Sequence, residues 1–407
     1  MVTLTSIPAD HTLQCQSDNS LSKSTSFSSQ PSLPSLPSLG SHASTSPLSF
    51  YHCAATIKGH SSYVSDLAIY DLKTLVSCSP DQSIKLWRTN HNELSNIASA
   101  ASKSPIKSVL VSKDQTVFTS HQDGKVRVWR ANLKERNHKL LLLAILPTVK
   151  GRFFSILCPK NYVQVRRHKW CTWVNHDDAV SALALSHDSK LLYSASWDRT
   201  FKVWRTCNFK CVESISRAHE DAVNAIVVSK DGFVYTGSAD TNIKAWRRLP
   251  GEKNHSLVST MKRHKSAVTA LVLSEDGSTV LYSGACDRSV VVWEGGGGQM
   301  VAVGALRGHK KAVLCLAVNK DVVCSGSADK TIRVWKQEPE RGYCYACLAV
   351  LEGHAGAIKS LAISFWDCFS DAESELRDET NADAYFVYSG GIDCVIKVWK
   401  ILVHKEG

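Results

Sequence analysis

An aspartate followed six residues later by a tryptophan occurs seven times in this chain of 407 residues. A serine or threonine stands four residues before each aspartate, and in five of the seven units a histidine lies 20 to 23 residues before it. A sixth histidine, His354, lies farther from its aspartate because an insertion intervenes. Self-similarity at a period of about 40–45 residues indicates a repeat architecture, and it constrains the fold more than any other feature of the sequence.

The pattern gives each of these residues a place in one of seven units. In chain order, the units contain His60, Ser77, Asp81 and Trp87; Thr119, Asp123 and Trp129; His176, Ser194, Asp198 and Trp204; His219, Thr236, Asp240 and Trp246; His264, Ser283, Asp287 and Trp293; His309, Ser325, Asp329 and Trp335; and His354, Ser389, Asp393 and Trp399.

Short runs rich in β-branched and aromatic residues fill each unit, with turn residues between them. In the third unit these runs are 179–186, 191–196 and 200–205. The pattern predicts short antiparallel strands. A four-stranded sheet has two apolar faces that it cannot bury alone, and radial stacking around a channel buries both. The sequence therefore predicts an all-β protein, a single seven-bladed β-propeller of four-stranded antiparallel blades over residues 50–402.

A Gly-His pair opens several units, as at Gly59-His60, and the run SGSADKTIRVW ends another at Trp335. On these motifs the chain resembles the WD-repeat family. The resemblance implies a hydrogen-bonded network of His, Ser or Thr, Asp and Trp in each blade. Histidine, aspartate and serine together also suggest a catalytic triad, but a set repeated six times at packing positions is typical of a scaffold. In the second unit Ser102–Ser104 occupies the place of the histidine, so we expect an incomplete network and a weaker blade.

The two ends of the chain differ from the repeats. Residues 1–49 are rich in Ser, Thr and Pro and nearly lack charge, so we expect a disordered tail, and residues 403–407 form a short C-terminal tail. The run QPSLPSLPSLG (30–40) is either a polyproline II ligand or a plain linker. The strand-like run 51–58 has no unit of its own and the last unit is one strand short. We therefore predict that 51–58 supplies the outer strand of the last blade.

Two insertions interrupt the repeats. The first, residues 134–170, holds nine Lys or Arg against one Glu. We expect the outer strand of blade 2 at about 169–174, immediately before His176, with 139–146 competing for the same place. The second, residues 365–384, holds seven Asp or Glu against one Arg and falls between the first and second strands of the last blade. Its composition predicts a solvated acidic loop.

The formal net charge of +11 raises the question of nucleic acid. The basic insertion, with Arg166 and Arg167, is suited to phosphates, to an acidic protein or to the acidic loop of the same chain. The basic run PKNYVQVRRHK (159–169), the Ser-rich tail and the seven units together resemble the plant JINGUBANG-like group of WD-repeat proteins. That resemblance implies a regulatory, non-enzymatic protein, which we expect in the cytoplasm and/or nucleus.

Motifs of catalysis and of metal binding are missing from the sequence. It has no GxSxG elbow, no phosphate-binding glycine loop and no HExxH, so we expect no catalytic residues and no cofactor. Fourteen cysteines include one Cys-x-x-Cys pair, Cys344 and Cys347. Residues three apart in a strand point to opposite faces, so we expect no metal and read the cysteines as reduced thiols.

We expect partner binding on the propeller face that carries the residues after each histidine and before each aspartate. The candidates there are Tyr63, Asp177, Asp178, Trp197, Glu220, Asp221, Lys265, Lys310 and Lys311. Trp197 is either an exposed interface anchor or a side chain packed on the neighbouring blade.

The sequence thus predicts a monomeric propeller without membrane contact. We expect a protein–protein interaction scaffold in plant regulation or signalling, and the alternative is a nucleic-acid-associated adaptor using residues 134–170. A ubiquitin-ligase substrate receptor is less favoured. The blade tryptophans are never followed by aspartate, so the Trp-Asp-x-Arg docking box of many WD-repeat receptors is absent.

Overall fold

The strands follow the repeats, because each unit contains β-branched and aromatic runs separated by tight turns. The computed structural model describes residue 38 and residues 48–71, 73–90, 93–132, 139–149, 162–166, 169–274, 279–338, 344–366 and 382–404. Within these ranges the chain forms seven four-stranded antiparallel sheets, which are the blades, and one two-stranded hairpin.

The first described strand is β1 (Leu48–Lys58), and the first three blades follow it. Blade 1 consists of β2 (Asp66–Asp71), β3 (Thr74–Cys78), β4 (Ser83–Asn90) and β5 (Glu93–Ala101). Blade 2 consists of β6 (Ile106–Val111), β7 (Thr116–His121), β8 (Val126–Asn132) and β9 (Lys139–Leu146). The hairpin consists of β10 (Tyr162–Arg166) and β11 (Lys169–Thr172). Blade 3 consists of β12 (Val180–Leu185), β13 (Leu191–Ser196), β14 (Phe201–Arg205) and β15 (Cys211–Ile215).

The remaining four blades complete the ring. Blade 4 consists of β16 (Val223–Val228), β17 (Val234–Ser238), β18 (Asn242–Arg248) and β19 (His255–Lys262). Blade 5 consists of β20 (Val268–Leu273), β21 (Val280–Ala285), β22 (Val290–Gly296) and β23 (Gln299–Leu306). Blade 6 consists of β24 (Val313–Asn319), β25 (Val322–Ser327), β26 (Ile332–Glu338) and β27 (Cys344–Leu351). Blade 7 consists of β28 (Ile358–Trp366), β29 (Ala382–Gly391), β30 (Val395–His404) and β1.

Blade 7 joins the two ends of the described chain. β1 pairs antiparallel with β30, from Leu48 opposite Val403 to Lys58 opposite Val395. The prediction that residues 51–58 close the ring is confirmed. The strand pairing runs slightly beyond the expected limits of 50–402, since β1 begins at Leu48 and β30 ends at His404.

The hydrophobic core lies between neighbouring blades rather than inside one of them. In one cluster, Ile84 and Leu86 of blade 1 pack with Val109, Val117 and Trp129 of blade 2. Polar side chains on the inner strands add hydrogen bonds from one blade to the next: Asn224 donates to the carbonyl of Val268 at 2.9 Å, and Thr269 donates to that of Val313 at 2.6 Å. Each blade is therefore buried by its two neighbours.

The structure corrects the expected outer strand of blade 2. Residues 139–146 take this place as β9, where Val126 to Asn132 pair with Leu146 to Lys139. Residues 169–172 instead pair with 162–166. The apolar run 139–146 follows β8 by a short connection and places Leu140 and Leu146 in the core, and this burial favours it as the outer strand.

The two insertions and the tail fall partly outside the described residues. The acidic segment does separate the first two strands of blade 7, but its ends at 365–366 and 382–384 belong to β28 and β29. Its remainder, 367–381, lies outside the described residues, as do 150–161 and 167–168 of the basic insertion and 1–37 and 39–47 of the predicted tail.

Candidate functional site

Blade 6 shows the network that recurs around the ring. His309 Nδ1 lies 3.0 Å from Asp329 Oδ2, and His309 Nε2 lies 2.8 Å from Ser325 Oγ. Trp335 Nε1 donates to the same hydroxyl at 3.0 Å. Because the indole N–H already donates to Oγ, the hydroxyl donates to Nε2 and the Nδ1–H donates to the carboxylate. All four groups are thereby satisfied in a single tautomer.

Five other blades repeat this arrangement within a few tenths of an ångström. The histidine–aspartate distances are 2.8–3.1 Å and the histidine–hydroxyl distances 2.7–2.8 Å in the sets of His60, His176, His219, His264 and His354. The tryptophan–hydroxyl distances are 2.7–2.9 Å. The network implied by the sequence is therefore present in these five blades and in blade 6.

Burial and hydrogen bonding fix the charge states of the network. Burial lowers the pKa of His60, against the opposing effect of Asp81, so the imidazole is neutral near pH 7. Burial alone would raise the pKa of Asp240, but hydrogen bonds from His219 and from two backbone N–H groups outweigh it and lower the pKa to about 2. In each of these six blades an imidazole bonded to a carboxylate and a hydroxyl holds the blade turn in place.

Blade 2 has an imidazole after all, supplied from another position. His121 is fully buried on β7, with Nε2 2.8 Å from Thr119 Oγ1, which also accepts from Trp129 Nε1 at 2.8 Å. His121 Nδ1 donates to the carbonyl of Ser104 at 3.1 Å, so a backbone oxygen replaces the carboxylate. Asp123 binds Arg127 at 2.8 Å instead. As expected, Ser102–Ser104 fills the usual histidine position and Asp123 stays outside the network, but the sequence analysis did not foresee that His121, two residues before Asp123, supplies an imidazole.

His121 predicts a pH dependence of stability. Burial, with a smaller effect of Arg127, lowers its pKa from 6.5 to about 3. The unfolded chain therefore binds a proton below pH 6.5 that the folded chain does not, so stability falls as the pH falls from 6.5 towards 3. At pH 5 this group accounts for a loss of about 2 kcal/mol.

We expect His121→Gln to lower stability at pH 8 but to reduce the loss between pH 8 and pH 5 by about 2 kcal/mol. Urea unfolding at the two pH values measures this difference. The exposed His187→Gln is the matched control and should keep the wild-type difference. An unchanged pH dependence in His121→Gln would contradict the assignment.

We call the face that carries the loops with the network histidines and the blade aspartates the top face. The network fixes these loops. The aspartate Oδ2 of each set accepts the backbone N–H of the residue after the histidine, at 2.9 Å for Asp177, 3.1 Å for Glu220, 3.0 Å for Lys265 and 2.8 Å for Lys310. The structure therefore brings these predicted residues to one face on fixed backbone.

Trp197 is the one large aromatic among the predicted top-face residues with substantial exposure, at 37%. Its backbone N–H donates to the carbonyl of Ala179 at 3.0 Å, so the indole stands on a fixed turn. Lys107 of blade 2 lies over the ring, with Nζ 4.8 Å from the centroid. Both interpretations made from the sequence hold in part, since the ring is exposed and also contacts the neighbouring blade.

Charge divides the top face. Asp177 and Asp178 are half-buried, and Glu220 and Asp221 are exposed, on the loops of blades 3 and 4. On blades 5 and 6 the exposed residues are Lys265, Lys310 and Lys311. Tyr63 is half-buried on the loop of blade 1. The face is acidic on one side of Trp197 and basic farther round the ring.

Four further top-face residues escaped the sequence analysis. Arg288 and Lys330 are exposed next to blade aspartates and extend the basic side. Ile392 is 50% exposed at the position in blade 7 that Trp197 occupies in blade 3. Lys107 stands where four of the other blades have Ser, Asn or Thr. Aligning the units position by position would have identified all four.

The basic insertion is not brought to the top face by any described contact. Arg166 lies on β10, opposite Lys169 of β11, and Arg167 lies outside the described residues. β11 ends at Thr172, which lines a groove of about 520 Å³ together with Trp173, Lys202 and the buried pair of Glu213 and His255.

The described residues contain neither a metal site nor a membrane-spanning helix. No group of three or more His, Cys, Asp or Glu side chains in these ranges is arranged to hold a metal ion. In the same part of the chain, no helix has the length and apolarity required to cross a membrane.

The architecture and the repeated network define a WD-repeat propeller. The family described as "WD domain, G-beta repeat" matches residues 51–88, 169–205, 209–247, 255–294, 300–336 and 345–400. The chain belongs to this family.

The curated relatives are distant. An uncharacterized WD repeat-containing protein of Schizosaccharomyces pombe is 25% identical over 57% of this chain and 66% of its own length. A ribosome biogenesis protein WDR12 homolog of Drosophila mojavensis is 25% identical over 69% of this chain and 64% of its own. A zinc finger CCCH domain-containing protein of Arabidopsis thaliana is 27% identical over 39% of this chain and 37% of its own length. The chain spans less than two thirds of each relative.

Among solved structures, the WD40 β-propeller domain of Doa1 is similar, with a TM-score of 0.59 and 20% sequence identity. The match covers 86% of this chain and 97% of that domain. At this identity the likeness concerns the fold alone.

Proposed function

We propose that this protein is a non-enzymatic adaptor that binds another protein through its top face, with Trp197 as the central contact. WD-repeat propellers generally mediate protein–protein interaction. The observation that carries the proposal is the exposed indole of Trp197 on a turn whose backbone is already hydrogen-bonded. A rigid aromatic side chain contributes contact area at little cost in conformational entropy, which is why tryptophan is enriched among interface hot spots.

The charges around Trp197 indicate which charges the partner should carry. Glu220 and Asp221 favour a basic stretch over blades 3 and 4, and Lys310 and Lys311 favour an acidic stretch over blades 5 and 6. The adaptor role in plant regulation or signalling, in the cytoplasm and/or nucleus and as a monomer, remains part of the proposal. It rests on the resemblance of the basic insertion and the Ser-rich tail to the JINGUBANG-like group.

Affinity capture with the full chain tests the proposal, with nuclease-treated and untreated extracts compared by mass spectrometry. Truncation of a hot-spot tryptophan typically costs at least about 2 kcal/mol, or roughly thirtyfold in Kd. We expect Trp197→Ala to lose a defined protein set by about this factor. Leu249→Ala, which removes an apolar side chain that is 45% exposed outside the top face, should retain it.

A nucleic-acid-associated adaptor is the second candidate. It is favoured because β10 and β11 form a hairpin within a segment that is rich in Lys and Arg. If nuclease removes the captured partners and Trp197→Ala does not, the second candidate replaces the first. Binding through phosphates would also weaken steeply as salt rises.

A further inference from the structure

Two neighbouring blades carry exposed cations on both loops that their network joins. In blade 5, Lys265 follows the network histidine and Arg288 follows the blade aspartate. In blade 6, Lys310 and Lys330 occupy the same two positions, and Lys311 adds a fifth cation. All five side chains are exposed, and we call them the cation cluster. In each of the other five blades at least one of the two positions is uncharged or acidic, so the cluster is confined to blades 5 and 6.

The network fixes the backbone that carries the cation cluster. Asp287 Oδ2 accepts the backbone N–H of Lys265 at 3.0 Å, and Asp329 Oδ2 accepts that of Lys310 at 2.8 Å. The second cation of each blade directly follows the aspartate, on a turn where its φ is 70° in blade 5 and 72° in blade 6. In each blade, therefore, two cations flank one aspartate on positioned backbone.

The two aspartates are not free to pair with the cation cluster. Asp287 accepts four hydrogen bonds from within its blade: from His264 at 2.9 Å, from the backbone N–H of Lys265, and from the N–H and hydroxyl of Ser289 at 3.1 and 2.6 Å. Asp329 accepts four in the same way. Within the described part of the chain, no acidic side chain forms an ion pair with a side chain of the cluster. The cations therefore face solvent without a counter-ion from these residues.

The charge balance of this region suits a phosphoryl group. Five cations stand against two carboxylates, which leaves an excess of three positive charges. A phosphorylated side chain carries about two negative charges at pH 7 and offers three acceptor oxygens. A carboxylate carries one charge and two oxygens. One phosphoryl group thus offsets most of the excess from a single position, and arginine adds a planar fork of donors that matches its oxygens.

The adjoining blade limits the kind of molecule that can carry this group. Glu220 and Asp221 are exposed on blade 4, whose inner strand is joined to that of blade 5 by the 2.9 Å hydrogen bond from Asn224 to the carbonyl of Val268. A nucleic acid or an anionic membrane is negative over its whole surface and would also meet these carboxylates. A phosphorylated side chain is a local charge on a polypeptide, so it reaches the cation cluster without placing negative charge over blade 4.

We propose that the cation cluster binds a phosphorylated side chain of the protein partner, so that phosphorylation of the partner controls its binding to the top face. This inference rests on the proposed adaptor function and adds its regulation. Trp197 contacts the partner in either state. The phosphoryl oxygens accept hydrogen bonds from the guanidinium of Arg288 and from the ammonium groups of Lys310 and Lys330.

Affinity capture with the full chain tests the proposal, with extracts that are mock-treated or treated with a phosphatase that is inhibited before capture. Dephosphorylation and the variant K265Q/R288Q/K310Q/K330Q should each lower the recovery of the same protein set by at least about tenfold. The variant K113Q/K190Q/K210Q/K253Q removes the same number of exposed charges from loops outside the top face and should retain the set. All eight side chains are exposed, so unchanged thermal unfolding confirms that both variants are folded.

Three results would overturn the proposal. Recovery that is unchanged after dephosphorylation is the first, because any loss in the cluster variant would then report binding of carboxylates. A loss on dephosphorylation without a loss in the cluster variant is the second, because the phosphate would then bind elsewhere. The third concerns sedimentation with vesicles of phosphatidylcholine and a phosphoinositide. If the cluster variant loses vesicle binding but keeps the protein set, the ligand is a lipid headgroup.

The variant Trp197→Ala separates the failure of this inference from that of the proposed function. Partners that require Trp197 but neither phosphate nor the cation cluster would contradict the inference and leave the adaptor function standing. Partners that require phosphate and the cluster but survive Trp197→Ala would support the phosphate site and contradict the role of Trp197 as the central contact.

Discussion

Deletion of residues 1–58 is expected to prevent the propeller from forming a stable ring, whereas deletion of residues 1–47 leaves it folded. The longer deletion removes β1, the only strand paired with the outer side of β30 within the described chain. Ala55 and Ile57 would no longer pack on the cluster around Trp87, and Lys397 would lose its 2.9 Å hydrogen bond to Thr56. The exposed edge of β30 would then be open to association with other chains.

Deletion of residues 1–58 should lower the free energy of unfolding by more than about 5 kcal/mol, the lower end of the total stability of a domain. Size-exclusion chromatography and thermal unfolding by circular dichroism compare the two deletions. We expect aggregates for the deletion of 1–58 and a monodisperse, cooperatively unfolding protein for the deletion of 1–47. A soluble 59–407 chain with the melting temperature of the 48–407 chain would show that the ring does not depend on β1.

Replacement of Trp335 by alanine is expected to cost about 3–5 kcal/mol, as for other buried tryptophans. The side chain is 1% exposed in the cluster that joins blade 6 to Val292 and Leu306 of blade 5. The change leaves a cavity between two blades and removes the donor to Ser325 Oγ. Urea unfolding and the melting temperature measure the effect.

The same chain offers a matched control for this change. Trp197→Ala removes an equal volume from a side chain that is 37% exposed and makes no network hydrogen bond through its indole, so its cost should be clearly smaller than that of Trp335→Ala. Trp335→Phe should fall between the two, because it retains part of the packing but not the indole N–H. Equal losses for Trp335→Ala and Trp197→Ala would mean that the network positions do not carry the stability of the ring.

Much of this architecture could be predicted from the sequence. The Asp-to-Trp spacing determined the number of blades, and the unpaired run at 51–58 determined how the ring closes. Both rest on local patterns, because strand alternation and turn residues act over a few neighbouring positions. The network partners followed from the resemblance to the WD-repeat family, whose histidine, serine or threonine, aspartate and tryptophan recur in six of the units.

The errors occurred where two segments of similar character competed. Residues 139–146 and 169–174 both have strand character, and the pairing with β8 decides between them. His121 likewise escaped notice because it reaches the network from β7, whereas the other histidines come from the loop before the inner strand. Local sequence patterns do not decide such cases, because the outcome depends on the tertiary contacts that each alternative makes.

The sequence by itself therefore determined the class of fold, the seven repeats and the residues that fix each turn. Only the tertiary structure decided which residues meet between blades: Lys107 over Trp197 and Ser104 with His121. The physical reason lies in the range of the interactions. Hydrophobic periodicity and turn chemistry act on residues close in the chain, whereas contacts between blades depend on how whole sheets are placed in space.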